Sequence, residues 1–406
     1  MKNYVKEYLD SGKSLTDLKE EFGIDTRVYD DGLVIFSYSQ IDSPKTNPLV
    51  RMCRGLILEK DTWNIVNYPF YRFYNFDEVF EERTKFNWDK AVATEKVDGS
   101  LLSVFNYKSK WYIATRSWVG GDNAVNALGM TFNDIFDKAV LPYTRQEFFE
   151  TLDPNCTYIF ELVSPWNMIV TPYEKAALYC IGGRNKIDFQ EDSFESIYNK
   201  TWSSNKFKDI IKIPKVISLS NSDGSFKGFE EMRNLANSVG EKDEGFVVTD
   251  FSSLLDGSFP RVKVKNSSYL VLHHLKGTLE NNAINFGEIL TIIYKNEQDE
   301  VLASLPQYKD IFADVEAKWK VFKSEFEAAL NDPCFTKFWE MDEISRKDPA
   351  NKKDFALAVN NGIYKKFSQY LFVCFNKGYN TLKECFENDK KPIHDVLKTI
   401  WDKYMK

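Results

Sequence analysis

The sequence predicts an α+β fold: an N-terminal domain of antiparallel sheets with flanking helices, followed by an all-helical C-terminal domain. Short apolar or alternating runs bounded by turn residues dominate the first part, as in Ser100–Tyr107, and are typical of strands. In the second part the apolar residues of Phe312–Leu330 recur every three or four positions, which is the period of an amphipathic helix. This change of period predicts domains at residues 1–270 and 271–406.

The individual elements follow from these two periods and from the turn residues between them. Tyr4–Phe22 is predicted to be helical, and Lys108–Lys110 is predicted to form a hairpin loop. The predicted strands include Leu33–Tyr38, Ser100–Tyr107, Trp111–Thr115, Thr157–Val163, Ala176–Ile181, Gly245–Thr249 and Arg261–Lys265. The predicted C-terminal helices are Phe312–Leu330, Phe355–Phe375 and Ile393–Tyr404.

Composition excludes several classes of protein. Hydrophobic residues make up 43% and charged residues 28% of the 406 residues, which is a globular profile. No apolar run approaches the roughly 18 residues needed to cross a bilayer, and none follows the first residues, so neither a membrane span nor a secretory signal is expected. The six cysteines are widely spaced without a CxxC pair, which predicts a cytoplasmic protein without disulfide bonds or a zinc site.

The charge distribution bears on nucleic-acid binding. A net charge of −7 argues against a molecule that is basic throughout. The charge is uneven, however, because Ser345–Lys406 holds 13 lysines and arginines against 7 acidic residues. This segment fits either contact with a polyanion or a solvated helical surface, and charge alone does not separate the two.

Thr94–Ser100 is the most informative segment, because Lys96 is followed there by a predicted turn at Asp98 and Gly99. Such a turn would hold the lysine at the end of a strand, facing a cleft. A lysine attacks phosphorus only when it is unprotonated, and its ordinary pKa of about 10.4 leaves about one molecule in 2,500 neutral at pH 7. Burial and neighbouring cations would lower that pKa, so other basic groups are expected near Lys96. Alone, the Lys-x-Asp-Gly pattern also fits an exposed hairpin turn.

The alternating segment Arg261–Lys265 could supply those basic groups. In a strand, Lys263 and Lys265 project from one face while the intervening valines pack on the other. Two ammonium groups on one face could hold adjacent phosphates and lower the pKa of Lys96. The same pattern also fits an edge strand whose lysines prevent aggregation.

Glu161 and Glu244 are carboxylates at the edge of, or within, apolar strands. Burying a carboxylate is costly unless it is paired, so such a side chain usually faces a polar cleft. There it could hold a ribose hydroxyl or a magnesium ion. Each could instead form a structural salt bridge.

Four motifs follow one another along the chain: Lys96-x-Asp98-Gly99, Phe160-Glu161, Glu244-Gly245-x-Val247 and Lys263-x-Lys265. Their residues and their order resemble those of the covalent nucleotidyltransferase superfamily, which contains DNA ligases, RNA ligases and mRNA capping enzymes. Within the superfamily the chain is similar to the bacteriophage RNA ligase 1 family, most strongly from Leu33 to Lys276. The resemblance implies that the N-terminal domain is the nucleotidyltransferase domain and that the helical domain is linked to tRNA recognition.

The resemblance also implies a set of site residues. The residues with implied catalytic roles are Lys96, Glu161, Glu244, Lys263 and Lys265. The residues implied to contact the nucleotide are these five together with Tyr38, Arg54, Arg72 and Glu95. The residues implied to bind metal are Asp98, Glu161, Glu244 and Asp299. The family usually has lysine where Arg72 stands and arginine where Met168 stands, and Arg116 lies near a further basic position.

The activity that the resemblance implies is that of an ATP-dependent RNA ligase using Mg²⁺ or Mn²⁺. Lys96 would take AMP from ATP and pass it to the 5′-phosphate of an RNA end, and a 3′-hydroxyl would then displace AMP. The implied partners are single-stranded RNA ends, in particular a nicked tRNA anticodon loop, with no membrane and no obligate protein partner. A phage-encoded enzyme of this kind would act in the host cytoplasm.

Two other interpretations remain at this point. DNA ligases and capping enzymes usually carry an OB-fold after the lysine pair, whereas helices are predicted here. A catalytically inactive homologue could act as an RNA-binding module, although it would not need the five catalytic residues.

Overall fold

The computed structural model describes residues 2–39, 43–122, 129–167, 170–240, 243–266, 269, 289–290, 292–293, 302, 308–360 and 362–377. The chain divides into two compact units, Met1–His273 and His274–Lys406. The first unit contains three sheets with helices against them, and the described part of the second is helical. The predicted α+β fold class is therefore confirmed. Within the described ranges, every helix is too short or too polar to cross a membrane.

The strands and helices of the first unit follow in chain order. The strands are β1 (Ile24–Val28), β2 (Leu33–Tyr38), β3 (Arg54–Glu59), β4 (Ile65–Asn67), β5 (Tyr74–Asn75), β6 (Ala91–Glu95), β7 (Ser100–Tyr107), β8 (Lys110–Ala114), β9 (Cys156–Val163), β10 (Ala177–Asn185), β11 (Glu191–Asp192), β12 (Val216–Ile217), β13 (Gly245–Asp250) and β14 (Arg261–Lys265). The helices are α1 (Tyr4–Asp10), α2 (Leu15–Phe22), α3 (Pro48–Met52), α4 (Phe80–Arg83), α5 (Phe132–Ala139), α6 (Arg145–Phe149), α7 (Phe194–Thr201) and α8 (Phe229–Ser238), with a 3-10 turn at Trp88–Lys90.

The first sheet is antiparallel, in the order β1-β2-β3-β4, and shares a core with α1, α2 and α3. The helical region predicted at Tyr4–Phe22 is two helices rather than one. Gly12, with a positive φ of 90°, lies just after α1, and Ser14 caps α2 through a capping box with Asp17.

The second sheet is antiparallel, in the order β11-β10-β9-β7-β8. Its main core lies against α5, α6 and α7 and includes the fully buried Trp202 and Phe148. The hairpin predicted at Lys108–Lys110 is confirmed: Lys108 and Ser109 both have positive φ, as a tight two-residue turn requires.

The third sheet has the order β12-β6-β13-β14-β5. Its strands are antiparallel except for β5, which runs parallel to β14. Helix α8 packs on one face through the buried Met232 and Ala236. Since β6 and β14 both border β13, the segments containing Lys96, Glu244 and Lys265 meet at one end of this sheet.

The described helices of the second unit include one long helix and several short ones. They are α9 (Lys309–Leu330), α10 (Pro333–Trp339), α11 (Glu343–Lys347), α12 (Pro349–Asn360) and α13 (Ser368–Lys377). The helix predicted at Phe312–Leu330 is confirmed, and its periodic apolar residues are buried. The single helix predicted at Phe355–Phe375 is wrong: α12 ends at Asn360 and a 3-10 segment follows from Gly362, since asparagine and glycine are poor helix formers. The helix predicted at Ile393–Tyr404 lies outside the described residues.

Candidate active site

The five residues predicted to be catalytic line one open cleft in the first unit: Lys96, Glu161, Glu244, Lys263 and Lys265. Charged side chains and the aromatic rings of Phe70, Phe73 and Phe251 line this cleft together. Glu161 comes from the second sheet, and the other four lie on the third sheet or directly beside its strands. The fold therefore brings together residues that are up to 169 positions apart in the chain.

Two glycines allow the strands around the cleft to approach closely. A Cβ atom on Gly99 would lie 2.5 Å from the carbonyl oxygen of Leu162 in β9. Gly245 has a positive φ of 118°, and a Cβ atom there would overlap the carbonyl oxygen of Val264. The backbone N–H of Lys96 donates to the carbonyl oxygen of Gly245 at 2.8 Å. Close contact between strands thus requires the glycine in both motifs.

Lys96 lies among carboxylates. Its Nζ donates to Oε2 of Glu244 at 2.5 Å, and both side chains are largely buried. Burial lowers the pKa of Lys96, but the negative charges of Glu244 and Glu161 more than offset this effect and raise it above its ordinary value. The predicted lowering of the Lys96 pKa is therefore wrong, because the two carboxylates outweigh the effect of the neighbouring lysine.

Lys263 is the lysine whose pKa falls. Burial lowers it most, and the positive charges of Lys265, Arg54 and Lys96 lower it further, to about 7. Glu78 opposes this shift only in part. Near neutral pH, Lys263 therefore exists in both its charged and its neutral form.

Glu161 is the carboxylate with the strongest upward shift in the cleft. Burial raises its pKa to about 7, with Lys96 opposing the shift and Glu244 adding to it. In the described part of the chain, no group of three or more histidine, cysteine or acidic side chains is placed to hold a metal. Magnesium in nucleotide sites typically takes only one or two carboxylates, together with phosphates and water, so Glu161 and Glu244 fit such an ion.

Asp98 already has hydrogen-bond partners for both carboxylate oxygens. Oδ2 accepts from the backbone N–H groups of Val170 and Thr171 at 3.0 and 2.8 Å, and Oδ1 accepts from the Tyr269 hydroxyl at 2.8 Å. Asp98 is buried and does not line the cleft. These contacts fix the turn that follows Lys96, and metal binding by Asp98 stays a prediction.

The residues predicted to contact the nucleotide separate into two groups. Arg54 and Glu95 line the cleft, whereas Tyr38 and Arg72 lie outside its lining in a cluster with Arg116. The Tyr38 ring lies 5.6 Å from the Arg72 guanidinium and 4.4 Å from that of Arg116. Arg72 pairs with a carboxylate of Glu78 at 2.6 Å, and Arg116 donates to the Tyr38 carbonyl oxygen.

This arginine cluster, defined by Arg54, Arg72 and Arg116, contains buried donors without acceptors. Nη1 of Arg54, Nε and Nη1 of Arg72 and Nε of Arg116 are buried and have no hydrogen-bond partner among the residues that the structure describes. Leaving a buried charged donor unsatisfied typically costs more than 1 kcal/mol. Such a set of donors is suited to an anion.

Sequence reasoning missed several residues of the cleft, among them Phe73 and Arg261. Phe73 directly follows Arg72 in the chain, and the cations of Arg54, Lys263 and Arg261 lie 5.3, 5.5 and 5.6 Å from its ring centroid. Arg261 is the first residue of the alternating segment Arg261–Lys265. Because it lies two residues before Lys263, strand alternation could have predicted that both side chains project from the same face of the strand. Asp299 and Met168 lie outside the described residues.

The comparisons with known proteins identify the family of the chain. A family model described as RNA ligase matches residues 52–269. The chain belongs to this RNA ligase family. The prediction of the RNA ligase family is therefore confirmed.

Several members of the RNA ligase family and related structures resemble the chain at low identity. A protein named bifunctional polynucleotide kinase/RNA ligase, from Autographa californica nuclear polyhedrosis virus, is 26% identical over 76% of this chain, which spans only 42% of that viral relative. An RNA ligase of Rhodothermus phage RM378 is 25% identical, covering 67% of this chain and 72% of the relative. An archaeal ATP-dependent RNA ligase structure has a TM-score of 0.44 at 13% identity and covers 86% of each chain.

Proposed function

We propose that this RNA ligase family member is an ATP-dependent RNA ligase that forms a covalent lysine–AMP intermediate at Lys96. The Lys96 amine would attack the α-phosphorus of ATP, forming an N–P bond as the P–O bond to pyrophosphate breaks. The AMP would then move to an RNA 5′-phosphate, and an RNA 3′-hydroxyl would displace it. The observation that carries the proposal is the cleft in which Lys96, held by Glu244, faces the cations of β14.

The proton on Lys96 must leave before the attack. Because Oε2 of Glu244 lies 2.5 Å from Nζ, Glu244 is the nearest acceptor for that proton and also orients the amine. Glu161 and Glu244 would hold a magnesium or manganese ion, which would supply positive charge to the triphosphate. Lys263 in its charged form would neutralise charge that develops on the phosphates.

The remaining contacts would orient ATP. The arginine cluster has unsatisfied donors suited to the outer phosphates, with Tyr38 packed between Arg72 and Arg116. Glu95 lines the cleft directly before Lys96, so it would contact the nucleoside. Arginine in place of the family's usual lysine at position 72 keeps the charge and adds donors.

The RNA substrate is proposed from family membership and from the helical second unit. Single-stranded RNA ends, in particular a nicked tRNA anticodon loop, would be joined in the host cytoplasm. RNA with 5′-phosphate and 3′-hydroxyl ends should be sealed faster than a nicked DNA duplex. Equal or reversed preference would contradict an RNA substrate.

Labelling with α-³²P-ATP and magnesium tests the first step. The wild-type protein should retain label through denaturation, and Lys96→Ala should abolish it. Lys186→Ala is the control, because Lys186 is also a partly buried lysine but lies outside the cleft lining. Unlike that of Lys96, its pKa is lowered, chiefly by burial. An unlabelled wild-type protein, or equal labelling of Lys96→Ala, would remove the proposal.

A further inference from the structure

Three cationic residues alternate along β14 at Arg261, Lys263 and Lys265, and all three line the cleft. Arg261 differs from Lys263 in its partners. Its Nη2 pairs with Oε1 of Glu191 at 2.5 Å, and its Nε donates to Oγ1 of Thr249 at 3.2 Å. Its side chain is only 7% exposed, so this pairing takes place largely out of water.

Glu191 is the centre of a buried ionic group that joins two sheets. Its side chain is fully buried on β11 of the second sheet, whereas Arg261 lies on β14 of the third. Glu191 also accepts from Nη2 of Arg184 at 3.5 Å and from the backbone N–H of Phe259 at 3.3 Å. Arg184 has further acceptors, including the Gly257 carbonyl oxygen at 2.7 Å, so Glu191 is not its sole partner.

Arg261 lies at the end of β14 that is distant from Lys96. Lys265 pairs with Gly245, next to Glu244 and Lys96, whereas Arg261 pairs with Thr249 at the opposite end of the strand. Four residues of strand span about 13 Å. An uncompensated charge on Arg261 would therefore attract a polyphosphate toward the end of the cleft that is distant from the nucleophile.

We propose that Glu191 is a positioning residue for ATP: it anchors Arg261 and cancels its charge, so that the triphosphate is drawn toward Lys263 and Lys265 on β14. The inference rests on the proposed function, since it assigns a direction to ATP in that cleft. Buried partners of this kind are costly to separate, because removing one leaves the other charged and unpaired.

The first test is Glu191→Gln, which leaves Arg261 charged without its carboxylate. The KM for ATP in the labelling reaction should fall about threefold, because the extra cation adds unproductive binding, and kcat should fall by the same factor. Loss of the β14 anchor should lower kcat further, to at least tenfold below wild type. The rise in unfolding temperature caused by inorganic pyrophosphate should increase. Unchanged KM and an unchanged pyrophosphate effect would overturn the inference.

The double variant Glu191→Gln/Arg261→Gln removes both charges and tests their coupling. It should return the KM for ATP and the pyrophosphate effect to within about twofold of wild type, even if the unfolding temperature stays low. A purely structural role for Glu191 would leave the double variant no closer to wild type than the single one.

Arg261→Gln alone covers the case in which Glu191→Gln does not fold, since Glu191 then keeps Arg184 as a partner. Its kcat should fall about fivefold because β14 loses an anchor, but its KM should stay within about twofold. Lys263→Gln is the matched comparison and should raise KM about tenfold. An equal rise in KM for both would make Arg261 a phosphate ligand and refute the inference. An unlabelled wild-type protein would instead refute the proposed function itself.

Discussion

Lys96 and Lys263 line the same cleft and are both affected by burial, yet their neighbours move their pKa values in opposite directions. Glu244 and Glu161 raise the pKa of Lys96, whereas Lys265, Arg54 and Lys96 help burial to lower that of Lys263 to about 7. Burial disfavours the charged form of both lysines. The difference therefore comes from the sign of the nearest charges.

This difference assigns separate tasks to the two lysines in the proposed reaction. Glu244 favours the charged form of Lys96 and would keep its amine oriented. Lys263 has no short carboxylate contact in the described structure, and its charge is therefore available to a phosphate. In the proposed reaction, the lysine with the low pKa would therefore be the phosphate ligand Lys263 and not the nucleophile Lys96.

The largest expected effect comes from removing the carboxylate that holds Lys96. Glu244→Gln should lower the single-turnover rate of adenylation about 100-fold, because Lys96 loses both its orienting partner and its nearest proton acceptor. Glu59→Gln, at the end of β3 and outside the cleft lining, is a control that should stay near the wild-type rate. A rate within threefold of wild type for Glu244→Gln would contradict the proposal that Lys96, unlike Lys263, depends on a carboxylate partner.

A smaller effect is expected from pH acting on Lys263. Its lowered pKa means that its charge is present below about pH 7 and is lost as pH rises, so the KM for ATP should increase about tenfold from pH 6 to pH 8.5. Lys263→Arg keeps its charge over this range and should show less than a twofold change. Equal pH dependence in both proteins would assign the titration to another group.

The smallest effect is on stability and concerns Glu161. Its folded-state pKa of about 7 lies above the unfolded value, so the folded protein binds the extra proton and loses stability as pH rises from about 4.5 to 7. Glu161→Gln cannot ionise and should raise the free energy of unfolding by about 1–3 kcal/mol at pH 8, but not at pH 4.5. Calorimetry at both pH values measures the difference in free energy of unfolding between the variant and the wild type. A less stable Glu161→Gln variant at pH 8 would show that the buried Lys96 charge needs both carboxylates.

Much of the fold was predictable because alternation and helical period reflect burial directly. Ser100–Tyr107 and Arg261–Lys265 are strands with the predicted bounds. The errors lie where a local breaker divides a periodic run: Gly12 in the first helical region and Gly362 after α12. Period alone does not locate such breaks when apolar residues continue on both sides.

The candidate site was predictable in membership but not in electrostatics. The motifs identified Lys96, Glu161, Glu244, Lys263 and Lys265, and all five line the cleft. They did not indicate that the Asp98 carboxylate would accept hydrogen bonds from backbone N–H groups and from a tyrosine hydroxyl. Nor did they indicate that Tyr38 and Arg72 would lie outside the cleft lining. Those facts depend on residues that are distant in sequence.

By itself, the sequence determined the fold class, the family and the set of charged residues on the cleft strands, because strand alternation fixes which side chains share a face. Only the tertiary structure decided which charges became neighbours. It placed Glu244 against Lys96 and Glu191 against Arg261, and it left Lys263 among cations. Since Coulomb energies depend on distance and burial, the chemistry of each lysine was set by strand pairing and not by its own motif.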